Sequence, residues 1–309
     1  MSWAALFPGQ GAQFVGMGRA VAMAHAGARA IFDEADAVLG YPLSRLVWEG
    51  PEDALRDTEV QQPAILTVSV AVWTALAPDP PPVAAVGLSL GEYSALVAAG
   101  LLPFADAVRI ARIRGRAMQT AVPRGQGGMT AVLGLSEEEV EALCAKARAV
   151  GWVEPANFNA PGQIVVSGEV AALEALEAEA RARRAKAVRL AVSAPFHSRL
   201  LEPAAAPVAA ALDEARWGTT ARFPVLANVD GYPVRDAEAA RPRLVEQVYR
   251  PVRFEQAVRS LLADGVERFV EIGPGQSLAA MVKKIHRGAR VVSVEAPEAF
   301  AAALELVRG

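Results

Sequence analysis

The side chains best able to do chemistry in this sequence are Ser89, His197 and Arg114. Ser89 is the centre of Gly87-Leu88-Ser89-Leu90-Gly91. A short apolar run, Val83 to Val86, enters this pentapeptide, and a helical pattern leaves it at Glu92. That is the strand–turn–helix setting of a nucleophile elbow. The turn is sharp, so its flanks must tolerate close backbone contact, which glycine does best. A serine held at the apex attacks a carbonyl carbon once a base takes its proton. The N–H of Leu90 follows at the helix N-terminus, where developing negative charge is stabilised. A purely structural turn is the competing reading in a chain this rich in alanine and glycine.

The base has few candidates, because the chain holds only three histidines. His25 falls in a surface-like helix and His286 in the basic helical end Lys283-Lys284-Ile285-His286-Arg287. His197 lies in the restricted loop Ser193-Ala194-Pro195-Phe196-His197-Ser198, between a strand and a helix, and is the best placed to serve a nucleophile. Arg114 stands out by periodicity. On a helix from about Ala105 to Val122, at about 100° per residue, Arg109, Arg112 and Arg116 share one sector. Arg114 falls instead among Ile110, Ile113, Ala117, Met118 and Ala121. A guanidinium on an apolar face needs an anionic partner. That partner is either a core carboxylate in a structural ion pair or the carboxylate of a substrate, which arginine binds bidentately.

The elements that must position these residues read as an α/β protein. Trp3–Phe7 is a strand running into Pro8-Gly9-Gln10-Gly11. This loop lacks the third glycine of a dinucleotide fingerprint, and no Walker lysine follows it. Helical patterns cover 20–39 and 63–77, and Asp79-Pro80-Pro81-Pro82 makes a stiff link into the elbow strand. From Met129 the order is strand, helix, two strands, helix, strand, a ferredoxin-like βαββαβ unit. Its first helix opens on a Ser136/Glu139 capping box. We read residues 126–193 as a small insert, with 1–125 and 194–309 forming one large domain. Arg222–Val229 and Gly231–Val234 resemble a hairpin. Strands at 266–272 and 290–294 alternate with helices, so the main sheet is mostly parallel.

Composition narrows the function. The net charge of −3 gives no basic footprint for nucleic acid. The single cysteine, Cys144, cannot form an internal disulfide and fits a reducing compartment as a small core residue. The N-terminus does not read as a signal peptide, and the apolar run 64–77 is too short and too interrupted to span a bilayer. The expectation is a soluble cytoplasmic protein with no membrane partner.

Seven motifs occur in one order: Phe7-Pro8-Gly9-Gln10-Gly11, Gln62-Pro63-Ala64, Gly87-Leu88-Ser89-Leu90-Gly91-Glu92, Arg114-Gly115, Ala156 to Gln163, Phe196-His197-Ser198 and Ile272-Gly273-Pro274-Gly275. With them the sequence resembles the malonyl-CoA:acyl-carrier-protein transacylases of bacterial type II fatty acid synthesis over nearly its whole length. The resemblance implies an α/β-hydrolase-like large domain with a ferredoxin-like insert. It implies a ping-pong reaction in which Ser89 carries the malonyl group and His197 is base and then acid. The backbone N–H groups of Gln10 and Leu90 would hold the oxyanion. Arg114 would bind the malonyl carboxylate, and a backbone carbonyl at Gln247 would orient His197. Phe196, Gln62, Asn159 and Gln163 would complete the substrate site. No cofactor and no metal are implied; the substrates are malonyl-CoA, a CoA thioester, and holo acyl carrier protein, and members are commonly monomers. Many members carry histidine where this chain has Leu88. Arg109, Arg112 and Arg116, or Lys283, Lys284 and Arg287, offer docking surfaces for an acidic carrier, with a plain solvated face as the alternative for each. The rival functions are a serine hydrolase or thioesterase on the same scaffold, a malonyl loader for a polyketide synthase, and a non-catalytic carrier-docking subunit.

Overall fold

The computed structural model describes residues 2–309. Its strands are β1 (Trp3–Phe7), β2 (Ala84–Gly87), β3 (Gly127–Leu133), β4 (Val153–Ala160), β5 (Gln163–Glu169), β6 (Lys186–Arg189), β7 (Val225–Leu226), β8 (Pro233–Val234), β9 (Arg268–Ile272) and β10 (Arg290–Val294). They form two sheets. The larger has the order β10-β9-β1-β2-β7-β8, and all its pairs are parallel except β7 with β8. The smaller has the order β4-β5-β3-β6 and is antiparallel throughout. The protein is thus a mixed α/β fold with a mostly parallel sheet and a separate antiparallel one.

The central strands β1 and β2 are uniformly buried. Helices cover both faces of the parallel sheet, which is why these strands read as continuous apolar runs. Chain order reverses at β1: the chain moves to β2 on one side and later to β9 on the other. Loops at the carboxyl ends of strands flanking such a reversal form the natural ligand crevice of an open α/β sheet. The loop after β1 carries Gln10, the turn after β2 carries Ser89, and the segment after β7 carries Asn228.

Several elements differ from the sequence reading. The helix expected from Pro63 begins at Thr58, where the Asp57 side chain accepts from the Glu59 N–H, and it runs to Leu76 with Pro63 inside it. A good N-cap outweighs the single hydrogen bond that a proline in the early turns forfeits. The strand expected over 186–192 ends at Arg189, and the hairpin after Arg222 contracts to two-residue strands. The capping box is formed: Glu139 N–H donates to Ser136 Oγ (3.2 Å) and Ser136 N–H to the Glu139 carboxylate (2.7 Å).

The two sheets are joined beside the crevice by main-chain hydrogen bonds. Phe158 N–H donates to Val252 O (2.9 Å), and Val252 N–H donates to Ala156 O (2.8 Å). The edge strand β4 is thereby fixed to the segment that follows Gln247.

Candidate active site

The turn after β2 is tight enough to dictate its glycines. A Cβ on Gly87 would lie 1.9 Å from the Gly91 carbonyl carbon, and one on Gly91 would lie 2.0 Å from Phe7 O. No side chain fits at either position. Between them Ser89 is held at φ 52°, in the left-handed region that non-glycine residues seldom occupy. Asn228 clamps the turn. Its Oδ1 accepts from the Ser89 N–H at 2.7 Å, and its Nδ2 donates to Gly87 O at 2.7 Å.

His197 meets this serine from 108 residues away: Ser89 Oγ lies 2.7 Å from His197 Nε2. His197 is also in the left-handed region, at φ 58°, and is 3% exposed. Its Nδ1 lies 2.8 Å from the backbone carbonyl of Gln247. A carbonyl only accepts, so Nδ1 carries the ring proton and Nε2 is left to take the serine's. Burial, reinforced by the Arg114 charge, pushes the imidazole down to about 3, so it is neutral at physiological pH. A neutral imidazole on a serine hydroxyl is a base poised for nucleophilic attack.

Arg114 is 1% exposed. Its Nη1 donates to Gln62 Oε1 (2.8 Å), and its Nη2 to Gln247 Oε1 (2.9 Å) and to Ser89 Oγ (3.0 Å). Among the described residues no carboxylate forms an ion pair with it, and its Nε has no partner. The structural ion pair left open by the helical pattern is therefore absent among the described residues. Burial lowers the arginine's pKa, while nearby Tyr93 and Glu92 oppose that shift. A cation held beside the nucleophile with no carboxylate partner among the described residues is arranged to receive an anion.

These groups open onto a cleft of about 1050 Å³, whose lining includes Ser89, His197, Arg114, Gln10, Leu88 and Phe196. Asn157 and Asn159 of β4 also line it. Among the described residues no acceptor takes the main-chain N–H of Gln10 or of Leu90. Two free N–H groups therefore flank the turn.

Most of the residues expected from the sequence come together here. Gln62 lies behind the cleft as the partner of Arg114. Asn159 lines the cleft with a buried Oδ1 that has no partner. Gln163 does not line the cleft; it opens β5, in register with Leu133 and Ala160. A motif that continues through a hairpin sends its two ends to opposite sides of the turn, which is why Gln163 parts from Asn159. Asn228 and the side-chain roles of Gln247 and Glu92 were not visible in the sequence. Their partners lie 133 to 158 residues away, and no local pattern marks them.

Of the basic clusters, Arg109 is paired with Asp106 (2.7 Å) and Arg112 with Glu59 (2.8 Å). Lys283, Lys284 and Arg287 are exposed at the end of the helix Ser277–Ile285, whose Ser277 and Met281 line the cleft.

Comparison with known proteins accords with this geometry. A profile of the acyl transferase domain matches residues 5–298. The chain is 42% identical over 310 residues to the malonyl CoA-acyl carrier protein transacylase of Bacillus subtilis, covering 98% of this chain and 96% of the relative. It is 42% identical over 308 residues to that of Escherichia coli K12, with 98% and 99% covered. Among solved structures, the malonyl CoA-acyl carrier protein transacylase of Coxiella burnetii superposes with a TM-score of 0.96 at 37% identity, covering 100% of this chain and 98% of that one. A malonyl-transacylase in complex with a type II PKS acyl-carrier protein superposes with a TM-score of 0.95 at 41% identity, with 99% of each chain covered. With a serine–histidine pair, a buried arginine that has no carboxylate partner among the described residues, and relatives matched over nearly their full length, the chain belongs to the acyl transferase domain family, alongside the malonyl CoA-acyl carrier protein transacylases.

Proposed function

We propose that this protein moves the malonyl group of malonyl-CoA to the phosphopantetheine thiol of acyl carrier protein through a malonyl ester on Ser89, supplying fatty acid elongation. The observation that carries the reading is Arg114: a buried guanidinium with no carboxylate partner among the described residues, its Nη2 3.0 Å from the nucleophile's Oγ. A simple esterase has no use for it, and leaving it unpaired disfavours an uncharged acyl group.

In the first half-reaction Ser89 Oγ attacks the thioester carbonyl while its proton passes to His197 Nε2. The oxyanion rests on the N–H groups of Gln10 and Leu90. Collapse breaks the C–S bond, and the CoA thiolate takes the proton from His197. The second half-reaction is the reverse with a different thiol. The carrier's thiol gives its proton to His197 and attacks the ester, and Ser89 leaves with that proton. The Gln247 carbonyl keeps His197 in the required tautomer and stabilises the imidazolium that forms in each half. Arg114 holds the malonyl carboxylate throughout. Phe196, Asn159 and the insert, residues 126–193, bound the acyl and pantetheine channel, and Gln62 steadies Arg114. The exposed Lys283, Lys284 and Arg287 at the cleft mouth are the docking surface for an acidic carrier. We place the protein in the cytoplasm as a monomer; a lone buried cysteine suits that compartment. No helix among the described residues is long and apolar enough to cross a membrane.

Intact-mass spectrometry of the protein mixed with malonyl-CoA and holo carrier protein tests the reading. A malonyl adduct that is lost in the Ser89→Ala variant, followed by loaded carrier, is expected. Free malonate with unloaded carrier would make the protein a hydrolase, and no adduct at all would exclude both enzymes.

A further inference from the structure

Beneath the reactive turn lies a carboxylate to which the mechanism above assigns no role. Glu92 is 2% exposed, one helical turn beyond Ser89. Its Oε2 accepts from the Gln247 carboxamide Nε2 at 2.7 Å and from the Asn228 main-chain N–H at 3.0 Å. The Gln247 carboxamide faces two ways. Its Nε2 also donates to Ser89 O at 3.0 Å, and its Oε1 accepts from Arg114 Nη2 at 2.9 Å.

This pattern permits only one orientation of the carboxamide. Flipped, its NH₂ would meet the guanidinium, and its oxygen would meet two acceptors. Hydrogen bonds to ionisable groups are the stronger kind, so Glu92 on one side and Arg114 on the other fix this orientation together. With Glu92 in place, a continuous path runs from its carboxylate through Gln247 to Arg114 Nη2, the nitrogen that also touches Ser89 Oγ.

We propose that Glu92 is a positioning residue for selection of the charged acyl group, acting through the Gln247 carboxamide to aim Arg114 at the nucleophile. Resting on the malonyl-transfer reading, the inference adds a residue that never meets the substrate. Burial pushes the Glu92 carboxyl up to about 7, so neutralising it requires little. The Asn228 clamp on the turn is made by its side chain, which bonds the Ser89 N–H and Gly87 O, while Glu92 holds only the Asn228 main-chain N–H. Attack by Ser89 on an uncharged acyl group therefore survives when Glu92 is removed.

The test is kcat/KM for malonyl-CoA and for acetyl-CoA in wild type, Glu92→Ala, Glu92→Gln and Gln247→Met, with circular dichroism as the fold control. Glu92→Ala is expected to lose about 10- to 100-fold with malonyl-CoA, the worth of one charge-assisted hydrogen bond, and under about fivefold with acetyl-CoA. Glu92→Gln keeps an acceptor oxygen and should restore the malonyl-to-acetyl ratio to within about fivefold of wild type. Gln247→Met keeps the main-chain carbonyl on His197 but removes the carboxamide, and should reproduce the ratio change of Glu92→Ala even if that variant does not fold. Equal losses for both substrates, no rescue by glutamine in a folded protein, or a wild-type ratio in Gln247→Met would each overturn the proposal. Failure of the wild type to transfer malonyl would instead refute the function itself.

Discussion

Replacing Arg114 by methionine puts the selectivity argument to its hardest test. Methionine is unbranched and fills much of the same space without charge. Arg114 is 1% exposed, so a malonyl carboxylate beside the variant side chain would be buried without a cation. An uncompensated buried charge of this kind costs about 3–5 kcal/mol. That corresponds to about a 150- to 5,000-fold fall in kcat/KM for malonyl-CoA. Acetyl-CoA has no carboxylate to strand. Its loss is bounded by the Arg114–Ser89 hydrogen bond at 3.0 Å, about 1 kcal/mol net and so under about tenfold. The ratio of the two rate constants should therefore fall by well over tenfold. Gln62 Oε1 and Gln247 Oε1 each lose a donor, so the variant should be less stable, and circular dichroism must verify its fold. Initial rates with holo carrier protein, followed by intact mass, supply the numbers. Parallel losses for both substrates in a folded variant would show that Arg114 supports the site without reading the acyl group.

Three further outcomes follow from the geometry. Nitrogen-15 shifts of His197 should report a neutral Nδ1–H tautomer from pH 8 down to about pH 5, because burial and Arg114 hold its pKa near 3; imidazolium signals at pH 6 would refute this. Asn228→Ala leaves the Ser89 N–H and the Gly87 carbonyl without the partners they now have at 2.7 Å. It should lower stability in urea by about 2–6 kcal/mol, and a loss under about 1 kcal/mol would mean the turn holds itself. Glu92 is raised by burial from 4.5 to about 7 in the folded protein, so its contribution favours folding below pH 4.5 and is lost as pH rises to about 7. Relative to wild type, Glu92→Gln should gain about 3 kcal/mol of unfolding free energy between pH 4.5 and pH 8; parallel stability curves would show that the carboxyl is not perturbed.

What the sequence revealed was what local chemistry can encode. The glycines at 87 and 91 and the strand before them fix the turn, because sterics act over five residues. Arg114 betrayed itself by standing out of phase with Arg109, Arg112 and Arg116 on one helix. The capping box at Ser136 likewise needs only four residues. Asn228 had no such signature, and Glu92, although it closes the motif after Gly91, carries nothing local that names its partners. Asn228 sits in an ordinary apolar stretch, Leu226 to Val229, and becomes a clamp only because β7 pairs with β2. Gln247 was marked for its main-chain carbonyl, through resemblance, while its side chain makes as many contacts that matter. The same limit explains Gln163, which the resemblance placed in the substrate site with Asn159 and which the hairpin carries away from the cleft.

The main-chain bonds between β4 and Val252 have a mechanical consequence. Gln247, whose carbonyl steers His197, lies five residues before Val252, and Asn157 and Asn159 on β4 line the same cleft as Ser89. Swinging the small sheet outward would pull on the segment that keeps the imidazole in register. Two main-chain bonds thus tie the edge of the small sheet to the segment that orients the base, so a displacement of one is carried to the other.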